Sequence, residues 1–233
     1  MKTIKVLNLY ACLGGNRYKW DEVAEQANLK LEVTAVELDE ELAKLYQERF
    51  PNDTVIVADA HQYLLDYYKE FNFIWSSPPC PTHSRMNYTF KNRDNFKLKY
   101  IDMKLYQEVI FLDNFFNGSY VVENVIPYYK PLIEAKKRER HLYWTNFNLP
   151  NNLSKRTPPK MNCNKNITKK VSEQFMEFHD VSSLIKKYKG KQDKGKIARN
   201  LVDYEAGRTI FETYLGIERK KNVNQVNIFD LGA

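Results

Sequence analysis

The chain has 233 residues, 43% of them hydrophobic, and a formal net charge of +7. Its length suits one large domain, or one domain with a small second lobe, and its apolar content excludes wholesale disorder. We expect no membrane contact, because there is neither a secretory h-region nor an apolar run long enough to span a bilayer. The odd number of cysteines, without CxxC spacing, indicates free thiols in a reducing cytoplasm and predicts no metal site; they are Cys12, Cys80 and Cys163.

Strand-like and helix-like segments alternate over the first 125 residues. Apolar runs predict five strands, at "TIKVLNL", "EVTAVEL", "TVIVAD", "NFIW" and "SYVVENV". Such alternation is typical of α/β proteins with a doubly wound, mostly parallel sheet. Helices are predicted between the strands over Trp20–Ala27, Asp39–Arg49, Ala60–Phe71 and Ile101–Phe116, with a long polar loop before the last of them, reaching about Lys99.

Beyond Pro127 the alternation weakens. The stretch "RHLYWTNF" predicts one more strand, and an amphipathic pattern predicts a helix over Ile197–Leu215 that returns to the core. Between them, residues 151–196 carry twelve Lys or Arg and four Asp or Glu, whereas the rest of the chain is close to neutral. Such a segment indicates a polyanion partner, most simply nucleic acid, although a solvated lysine-rich loop has the same composition. The predicted units are a core over 1–148, a small basic lobe over 149–196, the returning helix over 197–218, and a linker and tail over 219–233.

Polar, reactive or glycine residues follow each of the five predicted strands. In open sheets of this kind, ligands bind beyond the carboxyl ends of the strands. Taken alone, each of these residues fits a helix cap or a turn, but together they predict one site. They are Tyr10–Gly15 after the first strand, Glu37 and Asp39 after the second, Asp59 after the third, Pro79–Cys80 after the fourth and Glu123–Asn124 after the fifth.

The stretch "SSPPCPTHS" places Cys80 directly after the fourth strand, between prolines. Prolines end a strand ladder and fix the backbone on either side of the thiol. A cysteine needed only for packing fits equally well inside the strand. This stretch alone therefore supports a structural thiol and a reactive thiol equally, and the other motifs have to decide.

The order of these motifs resembles that of the DNA (cytosine-5)-methyltransferases, in a small bacterial or phage form. "NLYACLGG" is similar to the family's cofactor loop, DLFxGxGG, with Asn8 in place of the aspartate and Cys12 in place of the first glycine. The resemblance extends from about Val6 to Phe211, which is nearly the whole chain. It implies the fold of the S-adenosylmethionine-dependent methyltransferases.

The catalytic motifs of the family have counterparts here. "PPCPTHS" resembles PPCQxFS, with Pro81 and His83 in place of glutamine and phenylalanine. "ENV" matches the next element, "KKRER" resembles QxRxR with Lys136 in place of the glutamine, and "RNLVDYEAG" is similar to GNSVxxxV. The ordered set is more specific than any single match, and it favours a reactive role for Cys80.

S-adenosyl-L-methionine is the cofactor that the resemblance implies. Glu37 would hold both ribose hydroxyls, since a carboxylate accepts two such bonds, and Asp59 would bind the adenine amine. Asn200 and Val202 would return to the cofactor from the last motif. The implied cofactor-binding residues are Tyr10, Ala11, Cys12, Leu13, Gly14, Gly15, Glu37, Leu38, Asp59, Pro79, Asn200 and Val202.

Catalytic roles follow from the same resemblance. Cys80 would attack carbon 6 of cytosine, which makes carbon 5 able to take a methyl group. Glu123 would donate to ring nitrogen 3, and Arg140, with Arg138 beside it, would contact the carbonyl oxygen at position 2. A thiolate is required for the attack, so a nearby positive charge or amide groups would have to assist it.

Double-stranded DNA is the partner that the resemblance implies. A base inside a duplex cannot reach such a pocket, so the target would be flipped out, and the lobe over 149–196 would recognise the target. We expect a monomer in the cytoplasm of a bacterial cell, encoded by the bacterium or a phage, and a role in restriction-modification is open. The predicted DNA-binding residues are Ser84, Arg85, Lys186, Lys187 and Lys189.

Three alternatives remain at this point. An amino-group methyltransferase, acting on N4 of cytosine or N6 of adenine, carries D/N/S-PP-Y/F/W, but "SSPPC" lacks the aromatic residue. A tRNA cytosine-5 methyltransferase of the same fold would carry similar motifs. An inactive nucleic-acid binder is disfavoured by the presence of Cys80, Glu123 and Arg140.

The tail segment Gln225–Phe229, "QVNIF", resembles the QLxLF peptide with which many bacterial proteins dock on the sliding clamp. A glutamine followed by an aliphatic–aromatic pair suits a small apolar pocket. The alternative is that Ile228 and Phe229 pack against the body of the protein. Because a match of only five residues is not specific, this alternative is slightly favoured.

Overall fold

The computed structural model describes residues 1–89, 97, 99–160 and 165–217 of the chain. Three subjects of the sequence predictions lie outside the described residues: Cys163, the tail over 219–233 and the segment Gln225–Phe229 within it.

One sheet of seven strands forms the centre of the described part. The strands are β1 (Lys2–Leu9), β2 (Leu29–Glu37), β3 (Thr54–Val57), β4 (Phe73–Ser76), β5 (Ser119–Val125), β6 (Lys136–Arg138) and β7 (His141–Thr145). Their order across the sheet is β3-β2-β1-β4-β5-β7-β6. The first five are parallel, whereas β7 is antiparallel to both β5 and β6. The six predicted strands are confirmed; β6 was not predicted, because its three residues, Lys-Lys-Arg, carry no apolar signal.

Helices connect the strands and cover the sheet. The predicted helices of the first half are confirmed to within a few residues, and the predicted polar loop contains one short helix, α4. No helix in the described ranges has the length and apolar content that crossing a bilayer requires. The helices are α1 (Trp20–Gln26), α2 (Glu40–Arg49), α3 (Ala60–Tyr67), α4 (Arg85–Thr89), α5 (Lys104–Phe115), α6 (Lys165–Phe178), α7 (Ser182–Lys187), α8 (Lys194–Arg199) and α9 (Tyr204–Tyr214).

Both faces of the sheet are buried, as the apolar strands predict. Successive side chains of a strand point to opposite faces, and β4 illustrates this. Phe73 and Trp75 belong to a cluster with Trp20 of α1 and Phe211 of α9, whereas Ile74 belongs to a cluster on the other face with α3 and α5. The doubly wound fold is therefore confirmed.

The prediction of one helix over Ile197–Leu215 was wrong, because the structure has two helices, α8 and α9, separated by a turn. The side chain of Asp203 accepts a hydrogen bond from the backbone N–H of Glu205 at 3.2 Å, which starts α9 afresh. The intervening turn lies against Gly15, where a Cβ would come 2.4 Å from the carbonyl oxygen of Val202. The amphipathic pattern continues across the break and concealed it.

The helices of the predicted basic lobe pack on the core. Apolar residues of α6, α7 and α8 form one cluster with α2 and the loop after β1; among them are Leu13, Leu42, Val171, Phe175, Ile185 and Ile197. Helix α8 begins at Lys194, before the predicted boundary at residue 196. This packing brings Lys191, Lys196 and Arg199 to the predicted site.

Candidate active site

A pocket of about 770 Å³ lies at the carboxyl ends of the strands. Residues that follow β1, β2, β3 and β4, together with the end of β5, line it, and so does the segment before and within α8. The structure thus brings most of the predicted strand-end residues together. The predicted site residues that line the pocket are Tyr10, Cys12, Glu37, Leu38, Asp59, Pro79, Cys80, Glu123 and Asn200.

Other predicted cofactor residues support the pocket from behind and do not line it. Ala11 and Leu13 are buried in apolar clusters. Gly14 lies under Phe50, where a Cβ would come 2.4 Å from the ring. Gly15 and the buried Val202 pack on each other. These five positions therefore shape the loop after β1, but we place none of them in the lining of the pocket.

The loop after β1 has an unusual backbone. Tyr10, Cys12 and Gly14 have φ angles of 56°, 48° and 65°, all in the left-handed region. Glycine adopts this region freely, but other residues do so at a cost. The family motif has a glycine at the place of Cys12, and here a cysteine adopts the left-handed conformation at that position.

Glu37 ties the loop to the end of β2. Its carboxylate accepts hydrogen bonds from the backbone N–H of Cys12 at 2.8 Å and of Asp39 at 2.9 Å. Burial raises the pKa of Glu37, and these two hydrogen bonds oppose the rise. Each carboxylate oxygen has a second lone pair, so the group remains able to accept from ligand hydroxyls.

Leu38 and Asp59 form another part of the pocket. Leu38 is 70% exposed and presents an apolar surface there. The carboxylate of Asp59 accepts from the backbone N–H of Gln62 at 3.0 Å and lies 3.6 Å from the ammonium of Lys104. The hydrogen bond and the ammonium lower the pKa of Asp59. Asp59 is thus both the cap of α3 and a pocket residue, so the interpretation as a helix cap and the interpretation as a site residue are compatible.

The segment before α8, together with α8 itself, forms a wall of the pocket that the sequence did not reveal. The residues of this wall that line the pocket are Gly190, Lys191, Gln192, Lys196 and Arg199. The hydroxyl of Tyr188 and the amide of Gln192 donate to Asp39 at 2.7 and 3.0 Å and so fix this wall to the N-terminus of α2. Burial raises the pKa of Asp39, but these hydrogen bonds outweigh it and lower the pKa.

A buried carboxylate below the pocket was also missed. Glu108 of α5 is fully buried and accepts hydrogen bonds from the hydroxyls of Tyr10 at 2.6 Å and Ser76 at 2.5 Å. The ring of His61 lies 3.0 Å away. The available signal was position: Glu108 falls on the same stripe of α5 as the buried Leu105 and Leu112.

Cys80 lies in a loop that its neighbours hold in place. The side-chain amide of Asn124, in the "ENV" motif, donates to the carbonyl of Pro78 at 2.9 Å. The carbonyl of Cys80 accepts from the N–H groups of His83 and Ser84 at 3.0 Å each. Rigidity therefore comes from these hydrogen bonds as well as from the prolines.

Burial raises the pKa of the Cys80 thiol, and the neighbouring carboxylate of Glu123 adds to the rise. The ammonium of Lys196, across the pocket, acts in the opposite direction. The expected assistance by positive charge is therefore present but is outweighed, and Cys80 rests as a thiol.

His83 occupies the place of the family's phenylalanine. It is 1% exposed, and its ring packs near those of Tyr106 and Tyr129. Burial lowers its pKa, so the ring is neutral. His83 thus fills the space of an aromatic residue.

Glu123 has an unexpected neighbour in His141. Glu123 is 7% exposed, and its Oε1 lies 3.5 Å from Nε2 of His141 at the start of β7. Both residues line the pocket with Cys80. The sequence analysis did not single out His141, because it stands next to the arginine motif as an apparent strand residue.

The two arginines of the "KKRER" motif do not line the pocket. The guanidinium of Arg138 donates to the backbone carbonyls of Pro150, Lys137 and Leu149 at 2.5, 2.8 and 3.0 Å, which fastens the chain after β7. Arg140 is exposed, and its guanidinium carbon lies 5.9 Å from the centre of the Phe175 ring. The base contact of Arg140 stays a prediction.

The predicted DNA-binding residues lie outside the pocket as well. Arg85 is exposed and donates to the carbonyl of Pro127 at 3.5 Å, and Ser84 forms a bridge with the same residue. Lys186 and Lys189 are exposed, and Lys187 forms an ion pair with Glu48. These surface positions are accessible to DNA, and the contacts with DNA stay a prediction.

Several of the solved structures that this chain is similar to are methyltransferases. The methyltransferase EhMeth of Entamoeba histolytica is 10% identical, with a TM-score of 0.51 over 94% of this chain and 100% of that one, and shows the fold. DNMT2 of Spodoptera frugiperda is 24% identical over 52% of this chain and 35% of that one, with a TM-score of 0.35. A TehB-like SAM-dependent methyltransferase of Corynebacterium glutamicum is 14% identical over 54% and 56% of the two chains, with a TM-score of 0.33. The chain thus spans about a third of the DNMT2 chain.

No protein of curated function matches the sequence. The family model of the C-5 cytosine-specific DNA methylases matches residues 4–125, from β1 to the end of β5. The matched region contains the cofactor loop, Cys80 and Glu123, and stops before Arg138. Membership and fold together imply S-adenosyl-L-methionine as the cofactor. Since the match covers more than half of the chain, the chain belongs to the C-5 cytosine-specific DNA methylase family.

Proposed function

We propose that this protein transfers a methyl group from S-adenosyl-L-methionine to carbon 5 of a cytosine in DNA, through a covalent adduct with Cys80. One observation carries the proposal: the thiol of Cys80 and the carboxyl of Glu123 line the same pocket as the loop after β1 and Glu37. A nucleophile, a proton donor and a cofactor site are then within one cavity.

The pocket residues fit the cofactor. Gly14 and Gly15 leave no room for a Cβ and let the loop bend tightly, and the free lone pairs of Glu37 suit the ribose hydroxyls. The exposed Leu38 offers an apolar surface to the adenine ring, and Asp59 offers an acceptor to its amine. When bound, S-adenosyl-L-methionine supplies an electrophilic methyl group on a sulfonium centre.

Cys80 and Glu123 perform the covalent chemistry in this proposal. The thiol of Cys80 gives its proton to water, and the thiolate forms a bond to carbon 6 of the base while ring nitrogen 3 takes a proton from Glu123, so carbon 5 becomes enamine-like. After carbon 5 has gained its methyl group and lost its own proton to water, the bond to Cys80 breaks and nitrogen 3 returns its proton to Glu123. Asn124 acts indirectly, because it holds the loop of Cys80 at Pro78.

The proposed partner is double-stranded DNA, with the target base flipped into the pocket. Support comes from the family and from the cationic wall of Lys191, Lys196 and Arg199, which suits phosphates around a flipped nucleotide. Free thiols at Cys12 and Cys80 suit a reducing bacterial cytoplasm.

A second partner is proposed for Gln225–Phe229, the bacterial sliding clamp. Tethering there would raise the local concentration of the enzyme at newly copied DNA. A peptide of the tail should then bind a bacterial clamp at micromolar affinity. A replacement of Ile228 and Phe229 by alanine that unfolds the protein would instead show that the pair packs on its body.

The test of the main proposal is bisulfite sequencing after incubation with the cofactor and either duplex DNA or tRNA. We expect 5-methylcytosine in DNA, and we expect Cys80→Ser to abolish it while the variant still binds cofactor and DNA. Methylation confined to tRNA would support the RNA alternative, and N4-methylcytosine or N6-methyladenine found by mass spectrometry would support the amino-group class. Full turnover by Cys80→Ser would refute the nucleophile.

A further inference from the structure

His141 is placed beside Glu123 by the antiparallel pairing of β5 and β7. Val125 pairs with His141 and Glu123 pairs with Tyr143, so Glu123 and His141 are diagonal neighbours on one face of the sheet. Nε2 of His141 lies 3.5 Å from Oε1 of Glu123. Because both side chains line the pocket, a base that contacts Glu123 would have the imidazole next to the carboxyl.

The other charged groups around His141 are engaged elsewhere or lie farther off. Arg138 of β6 pairs with His141 across the strands, but its guanidinium donates to three backbone carbonyls. Arg140, the preceding residue, lies over Phe175. Cys80 and Lys196 face the same pocket from its other walls. Within the described ranges, Glu123 is the one ion-pair partner of His141.

The proposed reaction needs a proton on Glu123 at neutral pH. Carboxyl groups as a class lose their proton well below neutral pH, whereas imidazole is the side chain whose charge changes near neutral pH. An imidazole in contact with the carboxyl is therefore a better store of the proton than the carboxyl itself.

We propose that His141 is a positioning residue that acts through Glu123, supplying the proton that Glu123 gives to the base and taking it back afterwards. This inference rests on the proposed function and assigns a role to a residue outside the family motifs.

The proton moves along the relay and returns. Nε2 of His141 first passes its proton to the carboxylate of Glu123, so the imidazole becomes neutral. The S–C6 bond then forms as Cys80 adds, and the electron pair displaced in the ring is neutralised at nitrogen 3 by that proton, which leaves Glu123 a carboxylate again. When the S–C6 bond breaks, nitrogen 3 returns the proton to Glu123, and His141 recovers it.

The kinetic test compares wild-type protein with His141→Gln, which retains an amide but cannot titrate. Single-turnover methylation of duplex DNA at saturating cofactor is measured from pH 5.5 to 9. We expect the alkaline fall of the rate to move to lower pH in the variant, with a loss of about 100-fold at pH 8 and much less at pH 5.5. His61→Gln is a matched control, because it alters the other histidine–carboxylate pair; its profile should keep the wild-type shape.

A second measurement does not depend on turnover. The imidazole of His141 is titrated by NMR in wild-type protein and in Glu123→Gln, with the signal assigned from its absence in His141→Gln. Loss of the carboxylate should lower the pKa of the imidazole. Equal titrations, or superimposable rate profiles of wild type and His141→Gln, would overturn the role of His141. A wild-type protein that places no methyl group on carbon 5 at any pH would instead overturn the proposed function.

Discussion

At the scale of single residues, the surroundings of Cys80, the proposed nucleophile, act on the reactivity of its thiol. Burial and the carboxylate of Glu123 raise the pKa of its thiol, and the ammonium of Lys196 opposes them. The thiol form is the less reactive one toward oxidants and alkylating agents. We therefore expect activation to depend on what enters the pocket.

Replacing Lys196 by methionine removes the opposing charge and keeps most of the side-chain volume. The pKa of Cys80 should then rise further, so the thiolate fraction at pH 8 should fall. We expect alkylation of Cys80 by iodoacetamide, followed by mass spectrometry, to slow roughly two- to five-fold. Lys194→Met is the matched control, because the ammonium of Lys194 donates to the carbonyl of Lys186. Equal rates in both variants would show that Lys196 does not act on the thiol.

At the scale of elements, the sequence predicted the strands and their carboxyl ends well. Buried parallel strands are continuous apolar runs, and polar residues end them, so β1 to β5 and the residues after them are readable. The positions of Glu108, His141 and the Gly190–Gln192 wall follow from tertiary contacts over distances that no local pattern reports. The break between α8 and α9 was missed for a related reason. The end of α8 is set by tertiary packing, and without knowledge of that end Asp203 cannot be recognised as the cap of a new helix.

The contact between Gly15 and the turn before α9 can be tested directly. In Gly15→Ala the new methyl group would lie 2.4 Å from the carbonyl oxygen of Val202, so the turn must shift. We expect the free energy of unfolding to fall by about 2 kcal/mol and the Kd for cofactor to rise about ten-fold, as measured by denaturant titration and calorimetry.

Gly216→Ala provides the comparison for Gly15→Ala. Gly216 has a φ of 69°, and no atom of the described residues lies within 4 Å of a Cβ placed there, so the variant should lose about 1 kcal/mol and bind cofactor normally. An equal loss of cofactor affinity in both variants would contradict a specific role for the Gly15 contact.

At the scale of the whole molecule, positive charge and the pocket share one edge of the sheet. Helices α7 and α8 pack through their apolar cluster on α2 and the loop after β1, so Lys191, Lys196 and Arg199 line the pocket, and Lys186, Lys187 and Lys189 are exposed on the surface. The basic composition of the segment was readable, but its location was not, because location depends on which apolar faces meet.

Neutralising Lys186, Lys187 and Lys189 together by glutamine should weaken DNA binding and flatten its salt dependence. For every DNA phosphate that the variant no longer neutralises, the slope of log K against log salt concentration should decrease in magnitude by about 0.9. The matched control neutralises Lys2, Lys5 and Lys30, which lie at the exposed amino-end side of β1 and β2. A slope that changes equally in both triple variants would mean that only net charge matters and that the α7 surface makes no specific contact.

The contact between Gly15 and Val202 also has a consequence for synthesis of the protein on the ribosome. The strands β1 to β5 are complete by Val125, so the emerging chain can assemble most of its parallel sheet early. The pocket must wait for Asn200, which lines it, and for the turn that packs on Gly15. A nascent chain that stops between Val125 and Asn200 therefore has the loop after β1 but lacks the turn that packs on it. The cofactor site is therefore completed only once Asn200 has been synthesised, well after the last parallel strand.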